Sequence, residues 1–394
     1  MSFRPITAGP LAPYGDRGIE PAQAILTSRL SPRRSAIGVK PGRDSRSLRL
    51  IGTGEEGGYG GNLIERVQGY AQRCVRLSAV EQFDLVHAHD WMTFPAAQAV
   101  ARRAGRPFFA HVHSTEFDRT GEHVNQEVYD VERAGMHAAD GVLAVSARTQ
   151  RIIVDRYGVS ADKVRVVYNG MEQASAPTPR RPRSATKTVL FLGRLTMQKG
   201  PEYFLRAAAR VSQTLTDVRF IVAGWGDLGP KMIKQCAALG LTDRTTFTGF
   251  LSGELVDRAY READVYVMPS VSEPFGLTAL EAVRHGVPVV LSKASGVAEV
   301  LRTGSIKVDF WDTEVMADAI VRILTTPALA DRLRYHGAQE LRGLTWENAA
   351  LECVSAYDAL DRGQFAAQGA ASIRRPAAGN DHVLQAVGVC GCVP

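Results

Sequence analysis

Between residues 83 and 291, short apolar runs recur, most of them followed by a stretch of helical spacing. No other feature narrows the fold as much. F-D-L-V-H-A (83–88), P-F-F-A-H-V (107–112), G-V-L-A-V-S (141–146) and V-R-V-V-Y (164–168) form one series. T-V-L-F-L-G (188–193), V-R-F-I-V-A-G (218–224), T-T-F-T-G-F (245–250), D-V-Y-V-M-P (264–269) and V-P-V-V-L (287–291) form a second. Strands alternating with helices imply parallel sheets covered by helices on both faces. Between the two series, M-E-Q-A-S-A-P-T-P-R-R-P-R-S-A-T-K (171–187) is rich in Pro, Ser and Ala and reads as a linker. The expected class is α/β, with two doubly wound domains facing each other across a cleft. A chain of 394 residues is also too long for one comfortable core. The expected order is an irregular leader (1–49), a first domain (50–175), a linker (176–187) and a second domain (188–345). A final helix (346–362) and a loose tail (363–394), rich in Ala and Gly, complete it.

In such sheets ligands bind beyond the carboxyl ends of the strands, so the loops there are where chemistry is expected. In V-S-E-P-F-G-L-T-A-L-E-A-V-R-H-G-V-P-V-V-L (271–291), Glu273 and Glu281 bracket seven residues. Ser272, Pro274 and Gly276 read as a turn, and Leu277 to His285 as a helix stopped by Gly286 and Pro288. Glu273 then lies in the loop and Glu281 about one turn into the helix. At ~1.5 Å rise per residue they fall within about 10 Å along the axis. In F-L-G-R-L-T-M-Q-K-G-P-E-Y (191–203), Arg194 and Lys199 lie on a strand-to-helix loop. Two cations beside a helix N-terminus suit a diphosphate, although ordinary surface cations fit the same pattern. A-G-W-G-D (223–227) is a second glycine loop, fitted to close approach of a nucleotide or to a tight turn.

V-H-A-H-D-W (86–91) and H-V-H-S-T-E-F-D-R-T-G (111–121) end two strands of the first series. Strand alternation places His87 and His89 on one side of the chain, and His111 and His113 likewise. The pairs suggest metal ligands, but zinc sites use other spacings and a third ligand. Imidazoles that hydrogen-bond a polar substrate, or sit satisfied in the core, are the preferred reading, and no metal is expected.

The charge of +6 sits in the leader. Residues 1–50 hold nine of the 47 Lys and Arg but three of the 41 Asp and Glu, leaving 38 of each sign beyond it. A nucleic-acid partner is therefore not expected, since the folded part carries no positive surplus. The leader is Arg-rich like a transit peptide but lacks an amphipathic helix. Five scattered cysteines, including Cys390 and Cys392, suggest a reduced, cytoplasmic setting. No apolar run reaches the roughly 18 residues that would cross a membrane.

G-R-L-T-M-Q-K-G and S-E-P-F-G-L-T-A-L-E, with H-A-H-D-W and H-V-H-S-T-E-F upstream, resemble the retaining glycosyltransferases of group 1 (family four), the glycogen- and starch-synthase-like group. The likeness spans residues 50 to 362. It implies the GT-B architecture of two Rossmann-like domains, a donor such as a UDP- or ADP-sugar, no cofactor, and a glycan or small molecule as acceptor. By position, Arg194 and Lys199 would neutralise the donor diphosphate. Glu273 would face the donor sugar near its reacting carbon, and Glu281 would hold the ribose hydroxyls. Backbone N–H groups of Gly276, Leu277 and Thr278 would meet the distal phosphate, His113 would orient the sugar, and Asp90 would lie on the acceptor side. Front-face departure and attack, with retention, is the implied chemistry.

The family opens with a strand and a Gly-Gly loop, and residues 1–50 contain no such strand. Either G-E-E-G-G-Y-G-G-N (54–62), preceded by S-L-R-L-I-G (47–52), stands in for it, or the start of the first domain has been lost or replaced. Two further readings follow. One is an impaired homologue that only binds nucleotide sugar, and the other is a sugar-nucleotide epimerase-like enzyme.

Overall fold

The computed structural model describes residues 63–172, 186–363 and 365, and the backbone of 386–389. The leader, the G-E-E-G-G-Y-G-G-N stretch and most of the linker lie outside the described residues. The first unit runs α1 (Leu63–Ser78), β1 (Leu85–His89), α2 (Phe94–Ala104), β2 (Phe108–Val112), α3 (Glu116–Thr120), α4 (Gln126–Ala138), β3 (Gly141–Ala144), α5 (Ala147–Tyr157) and β4 (Val164–Val166). The second runs β5 (Lys187–Leu192), α6 (Pro201–Thr214), β6 (Val218–Ala223), α7 (Gly229–Ala238), β7 (Thr245–Gly249), α8 (Glu254–Glu262), β8 (Val265–Met268), α9 (Leu277–Arg284), β9 (Val289–Ser292), β10 (Ser305–Val308), α10 (Thr313–Thr325) and α11 (Pro327–Leu341). Helix α12 (Trp346–Asp361) and strand β11 (Ala386–Val389) end the described chain.

Both sheets are wholly parallel. The first has the order β11-β1-β2-β3-β4 and the second β10-β9-β8-β5-β6-β7. Strands β2, β3, β8 and β9 are buried along their whole length, as expected of strands covered on both faces. Each unit buries its own large apolar cluster, one around Phe94, Phe108 and Tyr157 and one around Phe204, Phe220 and Val267.

Three features depart from the sequence reading. Lys187, assigned to the linker, already belongs to β5, where its N–H meets the Asp217 carbonyl at 2.8 Å. Strand β10 was not anticipated, because S-I-K-V is an edge strand with only its ends buried. The stretch read as a loose tail supplies β11, which pairs with β1 in the register Leu85 to Ala386 through Ala88 to Val389.

Helix α12 follows the second unit in sequence but packs on the first. Its Ala349, Cys353, Ala356, Tyr357 and Leu360, at helical spacing, meet Leu85, Phe109, Leu143 and Val167. The chain passes between the units near Met171 and near Thr345, and the two passages touch. The Met171 N–H donates to the Leu344 carbonyl at 3.0 Å, and Met171 bridges Thr345. A Cβ on Gly170 would lie 2.2 Å from the Thr345 carbonyl carbon, so only glycine lets the passages meet so closely.

Candidate active site at the carboxyl edges of the two sheets

The loop after β8 carries Glu273 into the interior. Its N–H donates to the Ala294 carbonyl, and its own carbonyl accepts from Gly296, tying the loop to the segment after β9. The buried Glu273 carboxylate meets the Lys199 ammonium at 2.7 Å and the Ser270 hydroxyl at 3.3 Å. Lys199 reaches it from a single 3-10 turn after β5 (Met197–Lys199). Gly200 ends that turn at φ 64°, where a Cβ would fall 2.2 Å from the Pro269 carbonyl oxygen. Arg194 stands exposed at the start of the same loop.

Gly276, at φ 116°, turns the chain into α9, and no side chain caps that helix. Its first-turn N–H groups, at Leu277 and Thr278, therefore keep the partial positive charge of a helix start. Glu281, one turn on, lies 2.9 Å from the Tyr260 hydroxyl, which is also 2.9 Å from the Thr278 carbonyl. The Tyr266 hydroxyl lies 2.8 Å from the Thr278 hydroxyl and 3.2 Å from the Leu192 carbonyl. The glycine loops of β5, β6 and β7 are laced together, with Gly193 N–H on Ala223 and Gly224 N–H on Gly249. Gly224 takes φ 137°, and a Cβ there would be 1.9 Å from the Gly193 oxygen.

In the first unit, the residue that follows β1 is Asp90, the one non-glycine residue with positive φ among the described residues (60°). An Asp tolerates this left-handed conformation better than most side chains. Its carboxylate accepts from the His113 N–H at 2.7 Å and the Ser114 N–H at 3.4 Å, so Asp90 grips the loop after β2. Burial raises its pKa to about 6, against the opposing pull of these N–H groups and of Arg119. His87, His89, His111 and His113 form one stack, with ring centroids 4.4 to 5.2 Å apart. Burial drives His89 and His113 down to about 4 and His87 and His111 well below the usual value, so all four are neutral at pH 7. Ring nitrogens of His87, His89 and His111 lie within 4.8 Å of one another, close enough to share a cation. Both ring nitrogens of His87 are already engaged, with Tyr357 and His111, and Nδ1 of His89 is engaged with His113.

The structure thus joins Lys199 to Glu273, Thr278 to Glu281 through Tyr260, and Asp90 to His113. Tyr260 and Tyr266 escaped the sequence reading because buried tyrosines in a helix and a strand look like ordinary core. Direct contacts between the units escaped it too. The Ser146 hydroxyl donates to the Pro274 carbonyl at 2.7 Å. Arg148 donates to the Ser272 hydroxyl at 2.8 Å, and that hydroxyl donates to Asp118 at 2.6 Å. The N–H groups of Ala147 and Arg148 meet the Glu299 carboxylate at 2.9 and 2.8 Å.

Residues 44–174 match the family Glycosyltransferase Family 4, and residues 176–340 match the family Glycosyl transferases group 1. Glycogen synthase of Mycobacterium tuberculosis is 31% identical over 289 residues, covering 71% of this chain and 70% of that protein. The chain belongs to the group 1 glycosyltransferases. It is accordingly a hexosyltransferase. An uncharacterised glycosyltransferase of Methanocaldococcus jannaschii is 29% identical over 304 residues, 73% of this chain and 78% of that one. Among solved structures, sucrose-phosphate synthase from Thermosynechococcus elongatus aligns with TM-score 0.65 at 24% identity, covering 76% of this chain and 79% of that one. Anabaena HepE, in complex with UDP and glucose, aligns with TM-score 0.63 at 21% identity, covering 74% and 80%. This group 1 glycosyltransferase has the GT-B architecture of two Rossmann-like domains.

Proposed function

We propose that this enzyme moves a hexose from a nucleotide sugar, a UDP- or ADP-sugar, to a glycan or small-molecule acceptor with retention of anomeric configuration. The observation that carries the reading is the Lys199–Glu273 contact at 2.7 Å beside the start of α9. In a nucleotide sugar the bond to be broken joins sugar carbon to phosphate oxygen. A cation and a carboxylate side by side suit its two ends: Lys199 the phosphate and Glu273 the sugar. Arg194 and the N–H groups of Gly276, Leu277 and Thr278 add positive charge for the leaving diphosphate, and Glu281 suits the ribose hydroxyls. Neutral His113 suits a sugar hydroxyl, and Asp90, which holds the His113 loop, stands toward the acceptor.

The carbon–oxygen bond breaks with both electrons passing to the diphosphate. The acceptor oxygen bonds to the same carbon from the same face, and its proton goes to the departing phosphate oxygen. Preorganised positive charge on the leaving group is the main catalytic device, and neither a cofactor nor a metal ion enters. The expected setting is the cytoplasm.

The test is a panel of UDP- and ADP-sugars with glycan and small acceptors, scored by released nucleoside diphosphate and by product anomer. A retained anomer, unaffected by EDTA, is the expected outcome. Nucleotide binding without turnover would identify an impaired homologue, and an isomerised donor an epimerase.

A further inference from the structure

The loop bearing Glu273 is gripped on both sides by the other domain. On one flank, the buried Ser272 hydroxyl accepts from Arg148 at 2.8 Å and donates to Asp118 at 2.6 Å. On the other flank, the Pro274 carbonyl accepts from Ser146 at 2.7 Å. Two of the first-domain partners, Asp118 and Ser146, are themselves fixed in their side chains, and Arg148 is fixed through its backbone N–H. Asp118 caps α3 by accepting from the N–H and hydroxyl of Thr115, at 2.9 and 2.8 Å. Arg119 anchors α3 to the buried Glu132, which Tyr157 also meets. Ser146 caps α5, accepting from the Thr149 N–H at 3.0 Å. Glu299 of the second domain binds the first two N–H groups of α5, those of Ala147 and Arg148, and accepts from Tyr168 at 3.1 Å. Packing is at its limit here, because a Cβ on Gly296 would meet the Pro274 oxygen at 2.2 Å and the Ser146 Cβ at 2.6 Å.

We infer that Asp118, Ser146 and Arg148 are positioning residues for Glu273, acting through Ser272 and the Pro274 carbonyl. The carboxylate then takes its working position only when the two domains are closed on each other. This inference rests on the proposed role of Glu273 at the donor sugar. Its logic is geometric. A loop held by its own domain alone, through Gln198, Ala294 and Gly296 on its backbone and Lys199 and Ser270 on its carboxylate, keeps its path but loses the three side-chain and carbonyl contacts from the first domain that fix the residues on either side of Glu273. A displacement of about 1 Å at a reacting group can cost about 100-fold in rate.

Ser272→Ala removes the hydroxyl that joins Asp118 to Arg148, and Arg148→Met removes one arm with its apolar stem retained. Both should lower kcat by about 10- to 100-fold while the donor KM and the affinity for UDP or ADP change by less than about twofold. Ser272→Thr, which keeps a hydroxyl, should restore kcat. Hydrogen exchange supplies a readout independent of turnover. Amides of residues 270–277 should exchange about tenfold faster in Ser272→Ala, with those of β5 and β6 unchanged. Unchanged exchange at 270–277, or a KM effect with kcat preserved, would overturn the inference. A wild-type enzyme inactive toward every donor would instead count against the proposed function, and the exchange result would still decide whether the clamp exists.

Discussion

The proposed function divides the Lys199–Glu273 contact between two tasks, so substitutions of the two residues should fail in different ways. Glu273→Gln keeps the size and loses the charge, and should lower transfer at least about 100-fold while nucleoside diphosphate binds nearly as before. Transfer at the wild-type rate in a coupled assay would remove Glu273 from the mechanism. Lys199→Ala should weaken nucleoside diphosphate by about 10- to 150-fold, the worth of one charge-assisted hydrogen bond, and free nucleoside hardly at all. Calorimetry giving equal losses for both ligands would contradict the phosphate role. These two residues were legible in the sequence because loop chemistry stands out against turn and cap signals: a carboxylate between Ser and Pro, a lysine before Gly-Pro. Ser146 and Asp118 were not legible as contacts between domains. Each caps its own helix, and that local role accounts for its presence without reference to a distant partner.

Strands β1 and β2 carry the feature most sensitive to acid. Four imidazoles held neutral by burial bind fewer protons in the fold than in the unfolded chain, where histidine titrates near 6.5. Their contribution is complete above that value and falls as pH drops from about 6.5 toward about 4. Asp90, raised to about 6, works oppositely: it favours the fold while protonated and loses that advantage as pH rises through about 6. Glu132, likewise raised by burial, acts in the same sense as Asp90, but four groups outweigh two, so the melting temperature should fall steadily from pH 7 to pH 4.5. Scanning calorimetry showing a flat melting temperature over that interval would refute the account. At this scale the buried strands were readable because continuous apolar runs have few other uses. Strand β11 was not, since A-V-G-V in a tail rich in Ala and Gly carries little strand signal and its pairing to β1 is remote in sequence.

The two domains close on a surface with no spare room, and Gly296 shows how little. Gly296→Ala should leave each domain folded and nucleoside diphosphate binding within about twofold, yet hold the domains apart. Solution scattering should show a larger radius of gyration, and transfer should fall at least about tenfold. An unchanged radius with full transfer would mean that the interface yields to a methyl group. The GT-B outline was legible because the strand-and-helix alternation stops and restarts around a Pro-rich stretch. How the halves meet was not, because it depends on surfaces that only the folded domains possess. The paired passages at Met171 and Thr345 carry a mechanical consequence. A lone tether would let the halves swivel and twist freely, whereas two tethers bonded side by side remove most of those freedoms. The motion expected to remain is rotation about one line near Gly170, like a door on its pin. On the proposed function, opening to admit donor and closing to set Glu273 would then retrace a single arc, so that the clamp would meet its partners in register at every return.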